Sequence, residues 1–454
     1  MTDNTTIMAY RDGPSAWIVL SRAATAFLVL SLIIIPLDPF SNLSDPLMAS
    51  AWEAGDVVNQ ASYTLMGVLT LSMIPIGRFR QFLSGFTPLA IAAVAWLGLA
   101  ALTSQNPELS LRRLAFTLVV YLTAAGWMFL PGGTRQLSTI LSVFAAVVLM
   151  LCYAGIVLVP SHTIHQFADF LEPGLAGDWR GIFGHKNEAG AVMALMTFSG
   201  IFITHTSRKL IGSLVAVGAV AFLIGSQAKT SLILLPLVLG VSYLARHSAT
   251  LGRLSFYCLA PLVLFNAFAV LAVYSNTMET ILNSAVSDAS FTGRTDVWQY
   301  AIANIIERPV LGHGFMAFWR TDQVLSETPS MDLWANTAAH SHNGYLDMAL
   351  TTGFPGLLLC IAFVVIGPII SYHRYRRDNS SGLALAGLST FLLQIWLFGI
   401  YFNCFESALF DRGNRVWFFL CSAVFGLYYI SKFQLLNERP PFEDPVRNKS
   451  RITA

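Results

Sequence analysis

The chain has 454 residues, of which 55% are hydrophobic and only 11% are charged. Soluble globular proteins carry roughly 25% charged residues, so this composition excludes an ordinary water-soluble protein and makes the bilayer the main solvent. The net charge of +2 is too small to indicate a nucleic-acid partner.

A helix needs about 20 apolar residues to cross a bilayer, and runs of suitable length occur at twelve places. The sequence therefore predicts an all-α polytopic membrane protein with about 12 transmembrane helices. Residues 225–229 separate two short runs, 210–225 and 229–245, which form either two short spans or a re-entrant feature. The approximate ranges are 17–37, 61–77, 86–103, 112–130, 137–159, 188–204, 210–225, 229–245, 254–275, 346–371, 382–402 and 414–431.

The distribution of lysine and arginine predicts how the chain is oriented, because short cytoplasmic loops are enriched in both residues. With a cytoplasmic N-terminus, basic residues fall in the cytoplasmic loops, while the first opposite loop has four acids and no base. An even number of spans returns the basic C-terminus to the cytoplasm. We expect a multi-pass protein of the bacterial inner membrane with both termini cytoplasmic. Arg112 and Arg113, at an outer helix end, are exceptions to the charge pattern.

The same reading divides the chain into four parts. Residues 1–275 hold the first nine spans with an outer loop at 160–187, and residues 276–345 form a long periplasmic loop region between spans 9 and 10. Residues 346–431 hold the last three spans, and 432–454 form a cytoplasmic tail. The long loop is rich in aromatic residues, and long loops are usually functional or disordered. We expect short helices on the membrane surface there.

Three cationic residues on the outer side are candidate anion ligands. Arg180 lies in a glycine-containing segment just before a helix, and helix N-termini bind anions. Lys229 lies between two apolar spans, where an ionisable group is a functional hypothesis by default. Arg294 begins a helical pattern next to Asp296. Lipid-headgroup contacts for Arg180, an interfacial turn for Lys229 and a structural ion pair for Arg294 remain open alternatives.

Two histidines close the long loop, in the order His340, Ser341, His342 and Asn343. A neutral imidazole can accept a proton from a hydroxyl, so His342 is a candidate general base. The alternatives are a metal pair, for which no carboxylate cluster is evident, and loop histidines bonded to the backbone. The five cysteines lie mostly in apolar runs without metal or disulfide spacing. We expect no metal and no cofactor.

Spacing after the histidines adds a resemblance to a known family. His342-Asn343 is followed by nine residues and then by Gly353-Phe354-Pro355-Gly356. This resembles the His-Asn-x9-Gly-x-x-Gly signature of the O-antigen ligase and Wzy-type polysaccharide polymerase superfamily. The segments 293–314 and 179–187 resemble the residues that precede this signature and another outer loop, the latter most closely in exopolysaccharide polymerases of the succinoglycan type.

The resemblance implies a GT-C-like membrane glycosyltransferase. Such an enzyme transfers a glycan from undecaprenyl diphosphate, on the periplasmic side, to an acceptor hydroxyl. The resemblance assigns the signature histidine to His342 and the cationic positions to Arg180 and Lys229, although the ligases favour arginine at the latter. Arg294 is a further candidate diphosphate ligand, and His340 and Asn343 are candidate supporting residues. Fixed cations would stabilise the charge on the departing diphosphate in place of a metal.

Three functions follow from this interpretation. The first is a polymerase of exopolysaccharide or O-antigen repeat units, and the second is a ligase that attaches the glycan to lipid A–core. The third is a polysaccharide transporter or flippase, although the spans are nearly free of charge and show no clear repeat. The expected partners are the carrier-linked oligosaccharide, the glycan acceptor, membrane lipid and other polysaccharide assembly proteins, with no nucleic acid. A non-catalytic assembly scaffold is the remaining alternative.

Overall fold

The computed structural model describes residues 15–44, 57–169, 172–275, 277–278, 280, 294–321, 324, 326, 338–378, 383–433 and 435–436. Within these residues the β-type pairing is limited to one isolated bridge, between Ile164 and Trp179. The rest consists of helices and their connections, which confirms the predicted all-α class. Of the predicted loop region 276–345, residues 277–278, 280, 294–321, 324, 326 and 338–345 are described, whereas the predicted tail 432–454 lies largely outside the described residues.

A helix occupies each of the twelve places predicted from hydropathy. The helices at these places are α1 (Ala16–Ile34), α2 (Val57–Met73), α4 (Pro88–Leu102), α5 (Pro107–Trp127), α6 (Thr134–Leu158), α7 (Lys186–Thr206), α8 (Lys209–Ser226), α9 (Lys229–His247), α10 (Leu251–Tyr274), α12 with α13 (Gly344–Cys360 and Gly367–Asp378), α14 (Leu383–Phe402) and α15 (Arg415–Lys432). A short helix, α3 (Phe79–Leu83), precedes α4, and α11 (Arg294–Glu307) lies in the long loop. A π-helical turn, Ile361–Ile366, joins α12 to α13.

Eight of the described helices are long and apolar enough to cross a membrane, and a ninth span results if the bent pair Ile76–Leu83 and Pro88–Leu102 counts as one. These helices confirm a multi-pass membrane protein. The remaining helices at predicted places, α2, α14 and α15, are shorter or carry more polar residues, so the number of twelve crossings stays a prediction. The predicted short spans 210–225 and 229–245 are two separate helices, α8 and α9, joined through Gln227 in the left-handed conformation.

Side-chain caps fix where several helices begin. Asn106 accepts a hydrogen bond from the amide of Leu109, and Pro107 occupies the first turn, where a missing N–H costs nothing. Asn414 likewise accepts from the amide of Val416 at the start of α15. These polar residues lie at the ends of apolar runs, which explains why hydropathy located the helices well.

Helix α7 forms the centre of the bundle. In its most apolar window 78% of the residues are buried, compared with 22% for α10 at the periphery. Its neighbour α8 packs at backbone contact, since a Cβ on Gly200 would lie 2.6 Å from the amide nitrogen of Ala216. Small residues permit such close packing between membrane helices. The centre of the fold is therefore rigid, and its start at Lys186 has a fixed position.

The end of α1 and the starts of α7 and α15 lie together at one end of this bundle. The Nε of Arg415, at the start of α15, donates to the carbonyl of Ile34, at the end of α1, over 2.9 Å. Arg415 also forms an ion pair with Glu188, in the first turn of α7. The other ends of α1 and α15 are therefore at the opposite end of the bundle, so both terminal helices begin or finish away from this region.

Candidate functional site

The imidazole of His342 is paired with a carboxylate. Its Nδ1 lies 2.8 Å from an Oε of Glu406, which belongs to the connection between α14 and α15. Both side chains are mostly buried, with 18% and 11% exposed. An ionised carboxylate can only accept, so Nδ1 carries the hydrogen and Nε2 carries the lone pair of the neutral ring. This tautomer leaves Nε2 able to take a proton from a hydroxyl.

Glu406 has further partners from two other parts of the chain. A terminal nitrogen of Arg294 lies 3.4 Å from its other oxygen and the amide of Asn187 lies 3.3 Å from the same atom. Arg294 is 1% exposed and also donates to the carbonyl of Phe405 over 2.7 Å. One carboxylate thus brings together the long loop, the start of α7 and the last outer connection.

The charges around Glu406 keep it ionised. Burial raises the pKa of its carboxyl, but His342 and Arg294, with a smaller contribution from His340, outweigh burial and hold that pKa well below its usual range. Because Glu406 remains a carboxylate at neutral pH, it can hold the His342 tautomer and stabilise the imidazolium that forms when Nε2 gains a proton.

His342 itself has an unusual backbone. Its φ of 55° lies in the left-handed region, which a non-glycine residue adopts only when its surroundings impose it. The amide of His342 donates to Nδ1 of His340 over 3.3 Å, and the two rings lie 4.2 Å apart between centroids. Burial, followed by the charge of His342, lowers the pKa of His340 to about 3. His340 is therefore a neutral imidazole at ordinary pH rather than a cation.

Asn343 fixes the start of α12. Its side-chain oxygen accepts from the amides of Tyr345 and Leu346 over 3.0 and 3.1 Å, and its amide nitrogen lies 3.2 Å from the side-chain oxygen of Asn266. This is an N-cap, whose loss typically costs about 1 kcal/mol of stability. Asn343 therefore fixes the backbone next to His342, which explains why the two residues occur together in the motif.

The glycine half of the signature is a packing site. Gly353 interrupts α12 with a φ of 71°, and a Cβ there would lie 2.0 Å from the carbonyl oxygen of Val310. Around this break, the amides of His313 and Gly314 donate to the carbonyls of residues 350 and 351. The spacing of the signature therefore reflects the segment 309–314 lying against an unwound turn of α12.

An acidic side chain in the first turn of α12 accepts hydrogen bonds that hold the histidine loop, residues 340–342. Asp347 accepts from the backbone amide of Ser341, from the indole nitrogen of Trp319 over 2.8 Å, and from the hydroxyl of Ser407. The indole of Trp298 donates to the carbonyl of Ser341 over 2.9 Å. These bonds join the histidine loop to the aromatic segment of the long loop and to the residue that follows Glu406.

The predicted diphosphate ligand Arg180 lies in a different environment. It is 1% exposed, and its two terminal nitrogens donate to the carbonyls of Phe183 and Ser41 over 2.9 and 2.6 Å. Its Nε has no hydrogen-bond partner among the described residues. Burial lowers the pKa of this guanidinium. As placed, Arg180 braces its loop, and its role as a phosphate ligand remains a prediction.

The loop around Arg180 contains several local pairs of basic and acidic side chains. Lys186 lies 2.7 Å from Asp178, and the imidazole of His165 lies 2.8 Å from the carboxylate of Asp169. His165 also accepts from the amide of Lys186 over 3.3 Å. A further pair joins His185 to Glu172 over 2.8 Å. The loop is therefore held by its own charges and ends at Asn187, which reaches Glu406.

Lys229 begins α9 at the same end of the bundle. The preceding residue, Ala228, packs on the first turns of α7, since a Cβ on Gly190 would lie 2.3 Å from the Ala228 Cβ. The amide of Trp179 donates to the carbonyl of Gly225 over 3.0 Å, which attaches the Arg180 loop to this turn. Lys229 is half-buried. Arg294, His340 and His342 thus share one centre, while Arg180 and Lys229 lie on a neighbouring part of the same end.

The centre also has the composition of a metal site. The ligand atoms of His340, His342 and Glu406 lie within 4.8 Å of one another, a spacing that could hold a metal ion. Glu406, however, is already engaged by His342 and Arg294. The expected independence from metal therefore stays a prediction that requires its own test.

Glu406 is the functional residue that the sequence analysis missed. It follows His342 by 64 residues and lies in a short connection between two apolar helices. One signal could have found it, because it is the only acid in the apolar stretch 383–410. Ionisable groups in such surroundings are usually functional.

Similarity to known proteins agrees with this geometry. Residues 191–361 match the family model described as O-antigen ligase, which confirms the resemblance to the superfamily of O-antigen ligases and Wzy-type polymerases. This match contains His342, Asn343 and the glycine pair, whereas Glu406 lies beyond it.

A curated relative gives a more particular likeness. The chain is 27% identical over 194 residues to the exopolysaccharide production protein ExoQ of Rhizobium meliloti (strain 1021). The alignment covers 41% of this chain and 45% of the relative, so the chain spans about half the length of the curated protein that it matches.

Proposed function

We propose that this protein is a membrane glycosyltransferase that polymerises repeat units of exopolysaccharide or O-antigen. The observation that carries the proposal is the pairing of His342 with Glu406 beside the buried Arg294. An imidazole whose Nδ1–H donates to an orienting carboxylate is suited to remove a proton from an alcohol through Nε2. The donor in this proposal is a glycan linked to undecaprenyl diphosphate.

In the proposed reaction, Nε2 of His342 takes the proton of an acceptor hydroxyl as its oxygen attacks the anomeric carbon. The bond between that carbon and the phosphate oxygen breaks, and the diphosphate leaves with the electron pair, most simply with inversion. Glu406 stabilises the imidazolium, and Arg294 adds a fixed positive charge. No cofactor takes part. Stabilising charge that develops only in the transition state is the most effective use of such groups.

Arg180 and Lys229 are proposed to neutralise the diphosphate, with His340 and Asn343 supporting His342. The start of α9 supports this role for Lys229, because a helix N-terminus adds a partial positive charge. For Arg180 the support is its position in a loop that reaches Glu406 through Asn187. Because Arg180 already bonds two carbonyls, the role requires the loop to present Nε, or to shift one bond, when a ligand arrives.

The orientation and partners follow from the same proposal. The site end of the bundle faces the periplasm of the inner membrane, and both termini are cytoplasmic. Basic residues at the opposite end support this orientation, including Arg376, which donates to the carbonyls of Ala245 and Ser248. The partners are the carrier-linked oligosaccharide, the acceptor glycan, membrane lipid and other polysaccharide assembly proteins.

A ligase that transfers the glycan to lipid A–core is the second candidate. The match to the family model described as O-antigen ligase favours it, whereas the likeness to an exopolysaccharide production protein favours the polymerase. Deletion of the gene separates the two. A polymerase mutant retains single repeat units and loses long chains, while a ligase mutant accumulates long chains that remain on the carrier.

Transfer by the purified protein tests the enzymatic proposal as a whole. We expect the full chain in detergent to extend carrier-linked glycan without an ion gradient and in the presence of EDTA. The variant His247→Ala, which changes an exposed histidine at the far end of α9, serves as the matched control for His342→Ala. No transfer in detergent, together with transport of the glycan by the same protein in sealed vesicles, would overturn the proposal in favour of a transporter. Inhibition by EDTA, reversed by added metal, would overturn metal independence alone.

A further inference from the structure

Four arginines form a second cationic group at the site end of the bundle, which we name the arginine cluster. Arg112 and Arg113 belong to the second turn of α5, Arg320 follows the aromatic segment of the long loop, and Arg412 lies between α14 and α15. The outer side of a membrane protein is normally poor in arginine. Their convergence from three segments therefore calls for a physical reason.

The backbone around the cluster is fixed by hydrogen bonds between these segments. The guanidinium of Arg113 donates to the carbonyl of Met316, and the hydroxyl of Ser110 donates to the carbonyl of Phe315 over 2.6 Å. The hydroxyl of Thr117 donates to the carbonyl of Phe410 over 3.0 Å. Helix α5 thus holds the segments that carry Arg320 and Arg412, so the cluster is part of the fold.

The charges in the cluster are poorly balanced. The guanidinium of Arg113 is repelled by Arg412, Arg112 and Arg320, and the carboxylate that opposes them is Asp411. Burial raises the pKa of Asp411 in spite of Arg412 and Arg113. Among the described residues, Asp411 is the acid that acts on Arg113 against the like charges of Arg112 and Arg412, so the region has an excess of positive charge. A bound anion would remove this repulsion.

Two of these arginines are available to a ligand. The side chain of Arg112 is exposed and that of Arg412 is half-buried. The hydrogen bonds formed among the described residues do not involve either guanidinium. Guanidinium groups contact phosphate oxygens through two parallel hydrogen bonds, so two free arginines match a phosphate or diphosphate group.

The position of the cluster indicates an anion carried by a lipid. Arg113 lies about 9 Å along the axis from the first residue of α5, near the depth at which lipid headgroups meet the apolar region. The apolar neighbours Leu102 and Leu111 are 62% and 39% exposed, and they offer a surface for a polyprenyl chain. Arg320 also acts on His340 electrostatically, so the cluster adjoins the histidine centre.

We infer that the arginine cluster binds the diphosphate of a second polyprenyl-linked substrate, the acceptor. This inference rests on the proposed function, because a polymerase joins two molecules that are both linked to a carrier. The donor diphosphate would lie beside Arg294 and Lys229, and the acceptor diphosphate at the cluster. A ligand held there would present its distant sugar to His342 across the Trp319 segment.

Binding stoichiometry of the purified full-length protein tests the inference, with undecaprenyl diphosphate as the probe and native mass spectrometry as the measurement. We expect two bound probes for the wild type and one for the double variant Arg112→Gln with Arg412→Gln. Each replaced arginine should weaken the second site at least about tenfold, as expected for a hydrogen bond to a charged group. The matched control, Arg253→Gln with Arg377→Gln, changes two exposed arginines at the opposite end and should keep both probes.

The remaining outcomes each decide the inference. Two probes on the cluster variant, or one on the wild type, would overturn it. Equal competition by phosphatidylglycerol would also overturn it, because the cluster would then hold ordinary phospholipid. The His342→Ala variant should bind two probes while losing transfer. If that variant still transferred glycan, the proposed function would fail although the stoichiometry stood, so the two failures are distinguishable.

Discussion

Two regions at the same end of the bundle use the same residue types in different ways. In the Arg180 loop, the basic side chains pair mostly with acids of nearby sequence, as Lys186 does with Asp178 and His165 with Asp169. In the histidine centre, one carboxylate, Glu406, serves His342 and Arg294 from distant segments. The two regions contain the same residue types and differ in their hydrogen-bond partners. Local partners hold a loop in place, whereas a carboxylate shared between distant segments suits proton transfer.

The largest expected effect is loss of transfer in His342→Ala. Removing a general base typically lowers a rate by about 10²- to 10⁴-fold. Transfer by purified protein, corrected for the folded fraction, measures the effect. If His342→Ala transferred glycan at close to the wild-type rate, the histidine would not be the base, and the two regions would not differ in chemistry.

Glu406→Gln should have the next largest effect. Loss of a partner that orients a histidine costs about 10- to 100-fold in activity, and the buried Arg294 loses its counter-charge, at about 3 kcal/mol or more of stability. The fall should appear in kcat rather than in KM, because the carboxylate orients the base without binding the substrate. A purely structural Glu406 would lower stability and leave kcat of the folded protein unchanged.

Asp178→Asn should act on stability and spare the chemistry. It leaves Lys186, which is 3% exposed, without the carboxylate at 2.7 Å, and breaking a buried pair costs about 3–5 kcal/mol. Thermal unfolding measures this loss. The exposed pair of Arg377 and Asp378 provides the control, since Asp378→Asn should cost less than about 1 kcal/mol. A large fall in turnover of the folded Asp178→Asn protein would show that the Arg180 loop takes part in catalysis. The difference between the two regions would then not hold.

The smallest expected effect is a change in how stability depends on pH. The pKa of His340 is about 3 in the folded protein and about 6.5 when unfolded, so the unfolded chain binds more protons between these values. Stability therefore falls as the pH drops below about 6.5, by at most about 1.4 kcal/mol per pH unit. Glu406, with its lowered pKa, adds to this loss only below its ordinary value of 4.5.

His340→Asn should flatten the dependence between pH 7 and pH 5 while keeping an acceptor for the amide of His342. Unfolding temperatures at the two pH values, compared with the exposed-site variant His247→Asn, provide the measurement. An unchanged difference between pH 7 and pH 5 in His340→Asn would show that another group governs acid sensitivity.

Much of the fold could be predicted because hydropathy and helix caps act locally. The twelve apolar runs correspond to helices. Asn343 belongs to the His-Asn motif and is also a common type of N-cap residue. Glu406 could not be paired with His342 from the sequence, because their contact depends on how α12, α14 and α15 pack. For the same reason Arg180, a plausible phosphate ligand by its neighbours, proved to bond two carbonyls.

The break at Gly353 has a consequence for assembly in the membrane. Carbonyls that α12 leaves unsatisfied at residues 350 and 351 receive amide hydrogens from His313 and Gly314 instead of from the next helical turn. Exposed carbonyls are costly in hydrocarbon. The tenth hydrophobic segment is thus incomplete until chain synthesised some forty residues earlier has docked against it. Insertion tags for topology mapping at 309–314 should hinder integration of this segment, whereas tags at the exposed turn after His247 should be tolerated.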